Sequence, residues 1–419
     1  MRIPRWSRRR ASVAGACALA ACAAVAGCGS ASSSTAVPQG LSGGEASQPG
    51  GGQYNGGQYN GGQYSTEQAA AATVLKPAAG SFLAGKETVT LLGSTTPANG
   101  DINPYAIWPV TTTAGTVSAG DVLVDNFNNA SNNQGTGTTI VDLHPDGQRT
   151  VFASLPSHAA GCPGGVGLTT AMVQLRTGWV IVGSLPSSNG QISTAGAGCL
   201  LVLSSAGKLA GTISGSYIDG PWDETVRDNG ATATLFVTNT LRGIGSGTTE
   251  VKEGDVVRIS LSQSESAAPK VTGETVIASG FPERPSAAAF VQGPTGLALG
   301  SSGTLYVADS LGNRIAAVPG ALSRAASAGT GSTLSQGGQL ANPLGLVLAP
   351  DGDLLAANAI NGKIVEVTQA GHQVGEYYAD DSVGQEPPGN GDLFDVAISR
   401  DGAGVLFVND GTNTLELLH

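Results

Sequence analysis

A stretch near the C-terminal end, Gly293 to Gly320, constrains the fold more than any other: GPTGLALGSSGTLYVADSLGNRIAAVPG. Its apolar runs, GLAL, TLYVAD and RIAAV, are separated by Ser-Ser-Gly and Ser-Leu-Gly-Asn. Short runs rich in Val, Leu, Ile and Tyr, bounded by Gly, Ser and Asn, read as antiparallel strands joined by hairpins. The same grammar returns in NPLGLVLAPDGDLLAANAINGKIVEVTQAGHQV, where Pro343 stands 49 residues after Pro294. It returns once more in DLFDVAISRDGAGVLFVNDGTNTLELL, which closes the chain. A unit of three or four strands repeated at a period of about fifty residues specifies the blades of an all-β propeller.

The individual positions carry a resemblance. Pro294, Gly296, Leu297, Gly303, Leu305, Tyr306, Val307, Ala308, Asp309, Asn313, Arg314 and Ile315 resemble the signature of the NHL repeat. In the next repeat Asn358 stands for the Asp and Lys363 for the Arg. The resemblance implies a β-propeller and by itself no activity, since this fold carries enzymes and pure binding modules alike.

Counting outer strands gives the number of blades. Arg149–Leu155, Lys208–Ser214, Glu274–Ser279, Ser332–Gln336 and Gln373–Ala379 each end a repeat, whereas the last repeat stops at His419 after its third strand. The missing strand is expected from Glu87–Gly93, ahead of the first repeat at Asn103-Pro104-Tyr105. An N-terminal strand that completes the C-terminal blade removes the open sheet edges. The expectation is a six-bladed NHL-like propeller over 82–419, monomeric, with its last blade closed in this way.

Residues 1–27 read as an export signal. Arg2, Arg5, Arg8, Arg9 and Arg10 precede the apolar run Ala11–Ala26, which is too short for the ~20 residues of a spanning helix. The run ends Val25-Ala26-Gly27-Cys28, which resembles the bacterial lipobox. That implies acylation of Cys28 (diacylglycerol and palmitate) and anchoring on the extracytoplasmic side of the cell membrane; an ordinary cleaved signal with an incidental Cys is the alternative. Residues 28–68, with the repeat GGQYN, are too poor in apolar groups to offset their ordering entropy and read as a flexible tether. The first 27 residues hold five basic and no acidic residues, leaving 15 basic against 31 acidic ones beyond them. That balance excludes nucleic acid as a partner.

Beyond the signal and Cys28, only Cys162 and Cys199 remain. In an exported chain two cysteines are expected to pair, free thiols being the alternative. Blade topology puts both on one face, Cys162 in a connection between blades and Cys199 at the start of a third strand. The same face carries the loops between second and third strands, long in the first three blades (Asn128–Gly137, Leu185–Gly198, Thr240–Gly254) and short in the last three (Ser310–Asn313, Ala359–Gly362, Gly411–Asn413). Loops on a rigid scaffold are where function tends to sit.

Two sets of residues are candidates for chemistry. Small polar residues end the second strands: Asn126, Ser184, Asn239, Asp309, Asn358 and Asp410. Their oxygens suit Ca²⁺ or another divalent cation, and propeller lactonases, which this fold resembles, hold a metal near the axis with such groups. The same residue types also cap turns through their own side chains. The second set is Trp222, Asp223, Glu224 and Arg227, in a segment where a blade normally begins with P-x-G-L; it reads as a ligand contact at the channel mouth or as a local ion pair. Histidines do not cluster, and no Walker loop, G-x-S-x-G, H-E-x-x-H or Rossmann fingerprint is present. The leading expectation is a binding or scaffold module for a protein or cell-envelope partner. The alternative is a metal-dependent lactonase-type hydrolase using the Asn/Asp ring.

Overall fold

The computed structural model describes residues 75–242, 249–286, 289–380 and 387–419. The expected signal, Cys28 and the expected tether lie outside the described residues. The described chain forms 25 strands in six sheets. The alternation of short apolar runs with Gly- and Asp-rich turns is realised as four-stranded antiparallel meanders. Blade one is Ile102–Pro109, Val122–Asn128, Thr139–Leu143 and Arg149–Ser154, from the axis outward; blade four is Pro294–Leu299, Leu305–Asp309, Arg314–Val318 and Ser332–Gln336. The strand Val89–Ser94 pairs antiparallel with Thr414–Leu418 and completes blade six, as the truncated last repeat requires.

Six hydrophobic clusters fill the spaces between adjacent blades. Ile107, Val122 and Val141 of blade one, for example, pack on Leu406, Val408 and Leu415 of blade six. The segment ahead of the closing strand straps across the outside. Ala78 donates its N–H to Val374 in the outer strand of blade five, and the Phe82 and Leu83 amides both donate to the buried Glu366 carboxylate, at 2.6 and 2.9 Å.

The positions that resemble the NHL signature act within and between the strands of a blade. Arg314 donates through Nε to Asp309 at 2.9 Å and through its other nitrogens to Thr333 Oγ1 and the Thr330 carbonyl, tying the second, third and fourth strands together. In blade five, where Asn358 cannot take that charge, Lys363 pairs instead with the buried Glu376 at 2.9 Å.

Blade three departs from the regular pattern. Its third and fourth strands are long, Val251–Ser264 and Ala267–Ser286, and Phe290–Gln292 pairs with the end of the latter as a fifth strand. The sequence reading confined that outer strand to Glu274–Ser279. The polar, Gly-punctuated residues around it hide how far the pairing runs, because the ladder is interrupted by several register shifts.

Candidate functional site

All six inner strands carry a register shift just after they begin: Pro104/Ile107, Leu168/Met172, Pro221/Glu224, Pro294/Leu297, Pro343/Leu346 and Leu393/Val396. A bulge releases backbone groups from the ladder, and here three carboxylates take them up. Asp395 accepts from Ile107 N–H at 3.0 Å and Val396 N–H at 2.8 Å, joining blade six to blade one. Asp223 accepts from Leu297 N–H at 2.7 Å and Glu224 N–H at 2.7 Å, joining blade three to blade four. Asp125 accepts from Ala106 N–H at 2.9 Å within blade one. Both Asp223 and Asp395 stand where the repeat elsewhere has Gly296 or Gly345. Gly345 leaves the room that Asp395 fills, since a Cβ there would come within 2.7 Å of the Asp395 backbone.

Of the three carboxylates, Asp223 and Asp395 line an axial cavity of about 330 Å³. Trp108, Thr170, Asp223, Glu224 and Asp395 line it, and its wall runs out to Pro109, Leu348 and Arg400 at the far ends of inner strands. Among the described residues no basic side chain forms an ion pair with Asp125, Asp223, Glu224 or Asp395. Burial therefore acts on them largely unopposed. It raises Asp395 to about 7 against the pull of its two backbone donors. Burial and then repulsion from Asp395 raise Asp223 well above the carboxylate range; Asp125 rises through burial, with repulsion from Asp395 as a smaller contribution. Glu224 rises through burial and then the charge of Asp223. The cavity is thus lined by carboxyl groups whose proton affinity burial has raised, Asp395 to about 7.

The other end of the channel is sealed. Tyr105, Phe127, Trp222, Phe290 and Phe394 form an aromatic plug, with Tyr105 stacked 4.5 Å from Phe127 and tilted 4.5 Å from Phe394. Phe290 joins it from a left-handed backbone conformation, φ 63°. The long loop of blade two roofs the plug through Leu185, Ile192 and Ala195, and Ser187 N–H binds it to Gly135 O of the blade-one loop at 2.7 Å. Cys162 and Cys199 are disulfide-bonded on this same face, with Cα atoms 5.3 Å apart.

The predicted residues divide accordingly. Asp223 and Glu224 line the cavity, Trp222 is wholly buried in the plug, and Arg227 is exposed and takes no part in an ion pair. The strand-end ring makes mostly local bonds, although Asn126 Oδ1 has no partner. Asn126 donates to Thr95 O, Asn239 to Tyr217 O and Asp255, and Asn358 to Gln339 O, while Asp309 accepts from Gly312 N–H and Arg314. In blade six the register puts Asn409 opposite Leu393, so Asn409 rather than Asp410 is the equivalent of Asp309; its Oδ1 accepts from Thr412 N–H. The sequence reading missed Asp395 and Asp125. Asp395 was detectable as an acid at the glycine position of the repeat, whereas Asp125 sits inside the strand Val122–Asn128 with nothing in the repeat to mark it.

A Ca²⁺ site of the kind the resemblance implies does not fit these residues. Asn239 and Asn358 are committed to backbone groups, and Asp223 and Asp395 spend both oxygens on bulge N–H groups. Asn126 Oδ1, Asp125 Oδ2 and both Glu224 oxygens have no hydrogen-bond partner, but neither acid belongs to a cluster of three His, Cys, Asp or Glu ligand atoms among the described residues. Among the described residues, His, Cys, Asp or Glu ligand atoms gather within 4.8 Å of one another at Asp121, Asp142 and His144 and at Asp351, Asp353 and Glu366. The second group is explained by the strap, whose amides Glu366 already holds.

No protein-family model matches the chain. No curated protein matches it either. Among solved structures it is similar to regucalcin from Agrobacterium tumefaciens, a calcium-binding protein (14% identity, 78% of this chain and 93% of that one covered, TM-score 0.48). It is also similar to a gluconolactonase from Xanthomonas campestris (13%, 82% and 93%, 0.49) and to the PQQ-bound aldose sugar dehydrogenase of Streptomyces coelicolor (15%, 79% and 98%, 0.46). At these identities the likeness is one of fold, the six-bladed β-propeller.

Proposed function

We propose that this is an exported lipoprotein of NHL-repeat type, anchored through lipid on Cys28, whose propeller hydrolyses a small polar ester or lactone in the axial cavity. The observation that carries the chemistry is the pair Asp223 and Asp395, buried together on one cavity with raised proton affinities and, among the described residues, no basic ion-pair partner. Two carboxyls that cannot both ionise easily provide one proton acceptor and one proton donor. Asp395 as carboxylate takes a proton from water, the water oxygen bonds to the ester carbonyl carbon, and the carbon–oxygen bond to the leaving alcohol breaks. Protonated Asp223 delivers its proton to that oxygen, giving a hydroxy acid. No step passes through a metal.

The test is proton release from γ- and δ-lactones by the chelator-treated full chain, with and without added Ca²⁺. Turnover should rise with pH through about 7, and D395N should lower it by about a hundredfold or more. No turnover across the panel, or an undiminished rate in D395N, overturns the reading. Anchoring is tested separately: C28S should abolish lipid labelling and release the protein from membranes. Detergent-free solubility of the wild type would refute it.

A second reading has its own observation. Both oxygens of Asp223 and of Asp395 already accept backbone N–H groups, which suits blade clamps. In that case the protein is a binding or scaffold module, presenting the roofed face with its long loops to a protein or cell-envelope partner.

A further inference from the structure

On the face opposite the disulfide, blade one gathers three side chains that neither reading uses. Val122 pairs with Leu143 across the second and third strands, so Asp121 and His144 are neighbours one step beyond that pair. Asp142 precedes His144 by two residues and therefore projects from the same side of its strand. Leu143, between them, points the other way into the core between blades one and six. The strand ladder thus fixes all three positions. One ligand atom from each lies within 4.8 Å of the other two.

The details favour an ion over a closed hydrogen-bond network. Asp142 is 1% exposed, yet its Oδ1 meets no hydrogen-bond donor. Two carboxylates this close repel each other unless a proton or a cation stands between them. Asp121 Oδ1 faces His144 Nδ1 at 3.1 Å, while its Oδ2 is held by Ser118 N–H at 2.7 Å. His144 Nε2 lies 3.4 Å from Thr150 Oγ1, a neighbour that fixes the ring with Nδ1 turned toward the acids. The His144 side chain is 28% exposed, which leaves an approach from solvent.

We propose that Asp121, Asp142 and His144 bind a first-row divalent cation, with Zn²⁺ the best match. One imidazole and two carboxylates form a three-ligand set that leaves a position for water, and the imidazole disfavours Ca²⁺ and Mg²⁺ relative to Zn²⁺. The site is independent of the hydrolytic proposal. It nevertheless borders the cavity mouth, because Arg400 of the cavity wall donates to Ala119 O in the turn that carries Asp121, at 3.0 Å.

The test is calorimetric titration of the chelator-stripped full chain with Zn²⁺, Mn²⁺ and Ca²⁺. A single Zn²⁺ should bind per chain, more tightly than Mn²⁺ and much more tightly than Ca²⁺. D142N and H144Q should each weaken Zn²⁺ binding by about tenfold or more, while D353N, in the other acidic cluster, leaves it unchanged. H144Q alters a partly exposed side chain, so its fold stays measurable even if D142N misfolds. Failure to take up Zn²⁺, or undiminished affinity in H144Q, overturns the assignment.

Discussion

Replacing Asp395 with Asn perturbs the axial site at its most informative point. Asp395 has an ordinary value of 3.8 and is raised to about 7 in the fold. A carboxyl raised by folding keeps its proton in the native state at pH values where the unfolded chain has lost it. Its stabilising contribution is therefore fully present below about pH 4, falls as pH rises, and is gone above about pH 7. A shift from 3.8 to about 7 corresponds to about 4 kcal/mol across that window. D395N cannot ionise, so it removes this slope, and it also relieves the repulsion that helps to raise Asp223 and Asp125. The amide oxygen can still accept from Ile107 N–H, but the amide nitrogen would face Val396 N–H, costing about 1–3 kcal/mol. The two effects oppose each other with different pH dependence. D395N should be less stable than wild type near pH 4.5 and equally or more stable near pH 8. Urea unfolding at a series of pH values reads this directly. A difference between wild type and variant that stays constant over that range would refute the reasoning, because it would mean that Asp395 ionises as an exposed acid does. Greater stability at pH 8 together with lost turnover would mark a group kept for chemistry at a cost in stability.

Other perturbations test the frame around the site. C162A/C199A opens a crosslink spanning 37 residues and should cost about 4 kcal/mol on the chain-entropy view, read as a lower urea midpoint that reducing agent reproduces in the wild type. Deleting residues 69–95 removes the strand Val89–Ser94 and bares the edge Thr414–Leu418; aggregation in size-exclusion chromatography or a loss of several kcal/mol should follow. E366A leaves the Phe82 and Leu83 amides without their acceptor and should cost about 3 kcal/mol, with earlier tryptic cleavage at Lys86 as the strap loosens.

The blades were legible in the sequence because each is made of local hairpins. Gly303 in a left-handed turn (φ 82°) and the runs on either side of it fix their strands within a few residues. The closing strand followed from a missing element, and the disulfide from cysteine count and blade topology together. The channel was not legible in the same way. Its plug draws Tyr105 and Phe127 from blade one, Trp222 and Phe290 from blade three and Phe394 from blade six, and no local pattern says that these rings meet. The Asn/Asp ring was legible as a position but not as a role. Whether a strand-end oxygen faces a ligand or a neighbouring amide depends on the adjacent turn, as the one-residue offset between Asp410 and Asn409 shows.

Long loops gathered on one face do not by themselves open the channel at that face. In blade two the long loop contributes the buried Leu185 and the half-buried Ile192 and Ala195 to the roof over the plug, so its apolar residues face inward. Sealing that end converts a through-channel into a cup open at the other face, where Asp223, Glu224 and Asp395 lie along the wall. Water-filled channels leave carboxylates near their ordinary values; a cup closed behind by aromatic rings does not. The plug is therefore part of the electrostatics of the site although it touches no substrate. Opening it, for instance by truncating Phe394 beside Asp395, would hydrate the carboxyls and return Asp395 toward 3.8 before any cavity residue was changed.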